Sequence, residues 1–146
     1  MQLSRRSDYA LRALIYLATR REGEVTGLPE ISRAAKVSRP FLAKILNTLA
    51  KRGLVKSHRG IHGGFALARS PSEISFLEVL HAVDGPMCVN LCVGRQGRCD
   101  AYRGCLMNPA WHHIQSEIEQ VLRSRTIADV LAGRTLPRPD AGARPH

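Results

Sequence analysis

Four cysteines, Cys88, Cys92, Cys99 and Cys105, fall within eighteen residues of a 146-residue chain that has no others. Clustered thiolates hold soft metal ions or iron-sulfur clusters, act as nucleophiles, or oxidise to disulfides, and their spacing helps to separate these uses. The intervening counts here are three, six and five residues, which supply none of the closely paired knuckles that structural zinc prefers. A metal-free thiol switch would need only two of the four, activated by the positive field of Arg95, Arg98 and Arg103. Structural disulfides belong to oxidising compartments. No apolar run approaches the ~20 residues that span a bilayer. Arg5-Arg6 opens the chain like a leader, but Arg12 interrupts the apolar stretch and no small-residue cleavage site follows. A cytoplasmic location is therefore expected, and with it reduced thiols.

The segment preceding the cysteines must position them, and its charge points to a partner. Residues 1–60 hold 13 Lys and Arg against 4 Asp and Glu, which is +9 of a whole-chain charge of +10. A polyanion-binding surface is expected in this half. Ser4 or Ser7 can cap a first helix with the stripe Leu11, Leu14, Ile15 and Ala18, ended by Glu22-Gly23. Pro29 suits the first turn of a short second helix, Glu30 to Lys36. Val37 leads to Ser38, an N-cap for a third helix from Arg39 to Arg52 that Gly53 closes. Burial of Leu42, Ile45, Leu46 and Leu49 leaves Arg39, Phe41, Lys44, Asn47 and Lys51 off the apolar stripe. Two short strands, near Leu54 to His58 and Phe65 to Ala68, flank Arg59-Gly60-Ile61-His62-Gly63-Gly64, a hairpin tip from which Arg59 and His62 reach outward. Helix, turn, helix and a basic-tipped hairpin make a winged helix.

Ser75-Phe76-Leu77-Glu78 reads as a capping box opening a short helix through Leu80 and Val83, stopped by Gly85-Pro86. Residues 87–107 show neither helical nor strand periodicity. So long an irregular stretch in a compact chain calls for a special explanation, and a metal or disulfide staple is the usual one. Asn108 can cap and Pro109 can start a long helix bearing Trp111, Ile114, Ile118, Val121 and Leu122. That stripe either packs on its own domain or pairs with the same helix of a second subunit. Thr126 to Leu131 adds one more turn, and the Pro/Gly/Arg-rich tail from Gly133 is expected to be disordered. The expected fold is mainly α with a small β-hairpin. It comprises a winged helix-turn-helix domain over 1–84, a cysteine-rich loop over 85–107, a dimerisation helix region over 108–132 and a tail over 133–146.

With these elements in order, the chain resembles the iron-sulfur winged-helix regulators of the Rrf2 family, which include the IscR, NsrR and RirA types. The resemblance covers residues 1–132. It rests on Met1-Gln2-Leu3-Ser4 with Ser7-Asp8-Tyr9-Ala10-Leu11-Arg12-Ala13-Leu14, on Val37-Ser38, on Arg59-Gly60 with Gly63-Gly64, and on Cys92, Cys99 and Cys105. It implies a homodimeric transcription regulator that reads a palindromic site on double-stranded DNA. The recognition helix would enter the major groove through Ser38, Arg39, Pro40 and Lys44, and the wing the minor groove through Arg59, with His62, Gly63 and Gly64 alongside. The resemblance also implies an iron-sulfur cluster on Cys92, Cys99 and Cys105 that senses iron, redox state or nitric oxide.

Two departures from the family pattern bear on the cluster. Six residues separate Cys92 from Cys99, where five is common among the biogenesis regulators, and Asn108 stands where those proteins have a histidine. This favours 4Fe-4S over 2Fe-2S. Asp8 matches the acidic position that, in the nitric-oxide sensors, looks like a fourth ligand donated across the dimer. Cys88 is the competing donor and would give all-thiolate ligation. A helix-start carboxylate and a spare thiol are the plainer readings of the same two residues.

No enzyme is expected. The chain has no nucleophile elbow, no phosphate-cradling glycine loop and no paired carboxylates at useful spacing, and His112 and His113 fall on what reads as an exposed helix face. A nucleic-acid-packaging protein would account for the charge but leave the cysteines idle.

Overall fold

Ser4 adopts an extended N-cap conformation and its Oγ accepts the Ser7 N–H at 3.1 Å, which sets the start of α1 (Arg5–Ala18). The computed structural model describes residues 3–94, 99 and 104–133. Met1, Gln2 and the tail beyond Gly133, where disorder was expected, lie outside the described residues. Ser7, the other candidate cap, is fully buried inside α1. The helix ends before Glu22-Gly23 because the Thr19 and Arg20 N–H groups turn back to the Tyr16 and Leu17 carbonyls. Its buried face is Ala10, Leu11, Ala13, Leu14 and Leu17, while Ile15 and Ala18 of the expected stripe are only partly covered.

The second helix, α2 (Leu28–Ala35), takes Pro29 into its first turn and ends at Lys36, whose φ of 56° is left-handed. α3 (Arg39–Lys51) buries Leu42, Ile45, Leu46 and Leu49 completely, as their spacing predicts, and Gly53 at φ 72° lets the chain leave it. Truncating one of these fully buried side chains leaves a cavity, so Leu46→Ala should cost about 2–5 kcal/mol, read as a lower denaturant midpoint. β1 (Val55–His58) pairs antiparallel with β2 (Gly64–Leu67), and Thr26 adds a bridge to Phe65 on the other side of β2.

A 3-10 turn (Pro71–Glu73) leads into α4 (Phe76–Asp84). Ser75 Oγ accepts the Glu78 N–H at 3.2 Å, but the Glu78 carboxylate turns to Arg69 at 2.5 Å instead of closing a capping box. Reciprocal boxes form at Ser70 with Glu73 and at Thr126 with Asp129. One turn of helix, α5 (Leu91–Gly94), interrupts the stretch read as irregular. Asn108 is the first residue of α6 (Asn108–Ser124), not its cap, and its buried amide nitrogen has no hydrogen-bond partner among the described residues. The chain then folds back. Phe76 N–H donates to the Arg125 carbonyl at 2.9 Å and Ile127 N–H to that of Ile74 at 3.0 Å. This brings α7 (Ile127–Leu131) onto the same core as Leu14, Ile31, Leu46, Leu54, Ile74 and Val79, with Ile127 fully buried. No helix among the described residues is long and apolar enough to cross a membrane.

Candidate functional site

Burying one side of α3 turns the other outward. Arg39, Pro40, Lys44, Asn47 and Lys51 are exposed, with Ser38 exposed at the N-terminal end. A helix presented this way fits the wide major groove, and its cations meet phosphate. Phe41 is different: it is half-buried and stands edge-on to Tyr9, ring centroids 5.9 Å apart, so it anchors α3 to α1.

At the wing tip Arg59 and His62 are exposed, and Ile61 between them is 99% exposed, a feature sequence reasoning passed over. The turn is held by Gly60 at φ 109° and by the Gly63 N–H, which donates to the Gly60 carbonyl at 3.0 Å. Gly63 and Gly64 also have a reason internal to the fold. A Cβ on Gly63 would stand 2.4 Å from the His58 carbonyl oxygen, and one on Gly64 would stand 2.2 Å from that of Thr26. Gly64→Ala should therefore displace the wing and cost about 1–3 kcal/mol of stability, with DNA affinity falling alongside the melting temperature.

The cysteine segment joins this domain to α6. All four thiols are free, with Cys88 exposed, Cys92 buried, and Cys99 and Cys105 partly buried. Cys88 folds back on the turn that carries Cys92: a Cβ added to Gly94 would meet the Cys88 Sγ at 2.4 Å. Cys105 sits at the mouth of α6, its carbonyl accepting the Asn108 N–H at 3.2 Å. Among the described residues no three Cys, His, Asp or Glu side chains come together as a metal-holding group. Residues 95–98 and 100–103, with Arg95, Arg98 and Arg103, lie outside the described residues. By donor chemistry the set fits iron, since soft thiolates free of disulfide bonds are the ligands iron-sulfur clusters take. Asp8 pairs with Arg12 at 2.8 Å on the half-exposed surface of α1. Such a surface pair is worth at most about 1 kcal/mol, so it is a small obstacle to ligation.

Two polar residues that sequence reasoning left unassigned fix the start of the segment. Asp84 Oδ2 accepts from the hydroxyls of Ser4 and Ser7, each at 2.5 Å. Gln115 is the one buried residue of α6. Its Oε1 accepts the Val89 N–H at 2.9 Å, and its Nε2 donates to the Met87 carbonyl at 2.7 Å and to Glu119 at 2.6 Å. A signal was available: Gln115 falls in helical register with Trp111, Ile118 and Leu122, where an apolar residue is expected. The same helix carries a second row, Trp111, Ile114, Ile118 and Val121, at the alternating three-and-four spacing of a helix-helix seam. Leu122 packs on the core, whereas Ile114 and Val121 remain 41% and 51% exposed.

A helix-turn-helix with an exposed basic recognition face and a glycine-braced wing is the architecture of a winged-helix DNA-binding transcription regulator. The chain belongs to the Rrf2 family, described as iron-dependent transcriptional regulators, whose family model matches residues 3–133. It is 35% identical over 137 residues to an HTH-type transcriptional regulator of Mycobacterium tuberculosis, covering 94% of this chain and 84% of that one. It is 33% identical over 135 residues to the regulator NsrR of Geobacillus kaustophilus, covering 92% of each. Among solved structures it is similar to IscR of T. potens, with a TM-score of 0.72 and 26% identity over 100% of this chain and 94% of that one. It is likewise similar to CymR, the global cysteine regulator of B. subtilis, with a TM-score of 0.71 and 29% identity over 93% of this chain and 99% of that one. The family and its relatives are transcriptional regulators, not enzymes.

Proposed function

We propose that the chain is a homodimeric regulator whose grip on a palindromic DNA site responds to an iron-sulfur cluster held by Cys92, Cys99 and Cys105. Asp8 of the partner subunit is the fourth ligand in this reading, with Cys88 as its competitor, and the cluster is 4Fe-4S before 2Fe-2S. The observation that carries it is the set of four free thiols between the DNA-binding core and α6, in a chain of the Rrf2 family. Similarity to proteins named NsrR and IscR supports it. Bound there, the cluster would supply a centre that reacts with nitric oxide or oxidants, or is lost when iron is scarce. The protein's part is to hold it in residues 85–107 and to join that loop to the dimerisation region, 108–132. Purification without air, with iron and acid-labile sulfide counted per chain, tests the reading. A brown protein containing both is expected, and zinc or an absence of metal would overturn it.

On the DNA side, Ser38, Arg39, Pro40 and Lys44 read the major groove and Arg59 the minor, flanked by His62, Gly63 and Gly64, because the narrow groove concentrates negative potential that draws arginine. Arg59→Ala should weaken the specific site by ~1–3 kcal/mol, whereas Lys51→Ala, if it meets only phosphate, should lower the salt slope by about one. Equal losses for Arg59→Ala on specific and random DNA would reduce the wing to a charge contact.

A second reading, a metal-free thiol switch, is favoured by one observation: Cys88 is a free, exposed thiol in a chain 29% identical to CymR. On that reading the protein is colourless and its DNA affinity follows thiol oxidation alone.

A further inference from the structure

The backbone from Asp84 to Val89 is fastened to two different helices. At its start Asp84 binds Ser4, the N-cap of α1, and Ser7, fully buried one turn further on. At its end the Gln115 amide bonds the Met87 carbonyl and the Val89 N–H, on either side of Cys88, and so ties the chain to α6 like one rung of a β-ladder. A residue spliced on both sides cannot swing independently of its neighbours. Between the two fastenings, Gly85 sits at φ 81° and Pro86 has a ring-locked φ, which leaves little slack. The segment runs as a strap along one side of an open cleft of about 290 Å³, lined also by Leu3, Ser4, Ser7 and Leu80.

We propose that Gln115 and Asp84 are positioning residues that make this strap a stiff coupling between the cysteine segment and α1. A change of bonding at Cys88 presses on the α5 turn it rests on, because that turn approaches the thiol so closely that a Cβ on Gly94 would overlap it. With the backbone held at Met87 and Val89, displacement passes along the strap to Asp84 and pulls on the first turn of α1. That helix carries Asp8 and, through Tyr9 against Phe41, touches α3. The inference goes beyond the cluster reading and does not need it.

The test uses the full chain with Cys92→Ala, Cys99→Ala and Cys105→Ala, which leaves Cys88 as the single thiol and cannot hold a three-cysteine cluster. Cys88 is alkylated with iodoacetamide, and amide hydrogen exchange is read at Ser7, Asp8 and Val89. Alkylation should change exchange at Ser7 and Asp8 by about 5-fold or more, the low end of a typical coupling. Adding Gln115→Met should speed Val89 exchange before alkylation and erase the response of the α1 amides to it. Asp84→Ala, which cuts the other end, should leave Val89 protected and also erase the response at Asp8. No response in the Cys88-only chain, or a response that survives either cut, overturns the coupling. A colourless wild-type protein would overturn the cluster reading and leave this result standing.

Discussion

Alanine at any one of Cys92, Cys99 or Cys105 should leave the protein colourless and fix its DNA affinity at the metal-free value, a change of about 5- to 150-fold from the loaded protein. The three positions are not equivalent in the fold. Cys92 is buried in the α5 turn, and Cys105 sits where its carbonyl meets the first N–H of α6. Losing the first removes the thiolate that the α5 turn carries, and losing the last removes the thiolate beside α6 while leaving the backbone bond at the helix entry in place. Cys88→Ala, in contrast, should leave colour and switching largely intact, because Gln115 grips the backbone around residue 88 and not its thiol. Asp8→Ala should give a cluster that forms but is more easily lost. Visible absorbance with iron counts, and fluorescence anisotropy on the operator with and without the cluster, distinguish these outcomes. Bleaching by Cys88→Ala together with no effect of Asp8→Ala would make Cys88 the fourth ligand and remove the cross-subunit bond.

The winged helix was legible because its information is local. The 3.6-residue recurrence of Leu42, Ile45, Leu46 and Leu49 fixes which side of α3 is buried, and hence which cations face outward. Helix ends were less legible, since Thr19 and Asn108 are placed by hydrogen bonds that weigh little in a periodicity. The capping box at Ser75 failed through a tertiary competitor: Arg69, nine residues back, draws the Glu78 carboxylate away. α5 is too short to have a period at all. The thiols stand out as candidate donors by their types and spacing, but whether Cys88 or Cys92 is the covered one depends on that single turn. Gln115 stands out by its register, but what it and Asp84 bind was invisible, because the hydroxyls of Ser4 and Ser7 and the backbone at Met87 and Val89 lie 77 to 80 and 26 to 28 residues away along the chain.

Aspartates at Ile114 and Val121 together should convert the protein to monomers and lower its affinity for the full palindrome by about 10²–10⁴-fold, the usual gain from joining two binding modules. One recognition helix reads few base pairs, and two must reach major grooves about 34 Å apart to double the site. In the proposed dimer something must therefore hold the two domains. The α6 row of Trp111, Ile114, Ile118 and Val121 has the spacing of a helix-helix seam, and its own domain leaves Ile114 and Val121 about half exposed. A carboxylate at each of these positions in a paired seam is a buried charge without a partner, which costs several kcal/mol apiece. In the isolated domain the same carboxylates reach water, so the monomer should remain folded at a cost of about 1–3 kcal/mol. Leu122→Asp is the contrasting variant: Leu122 packs on the core, and its replacement should unfold the domain. Sedimentation equilibrium, circular dichroism and anisotropy on full and half sites read all three quantities. A double variant that still sediments as a dimer places the subunit contact elsewhere than this seam, and a monomer that keeps full-site affinity shows that pairing of recognition helices is not what gives the site its strength.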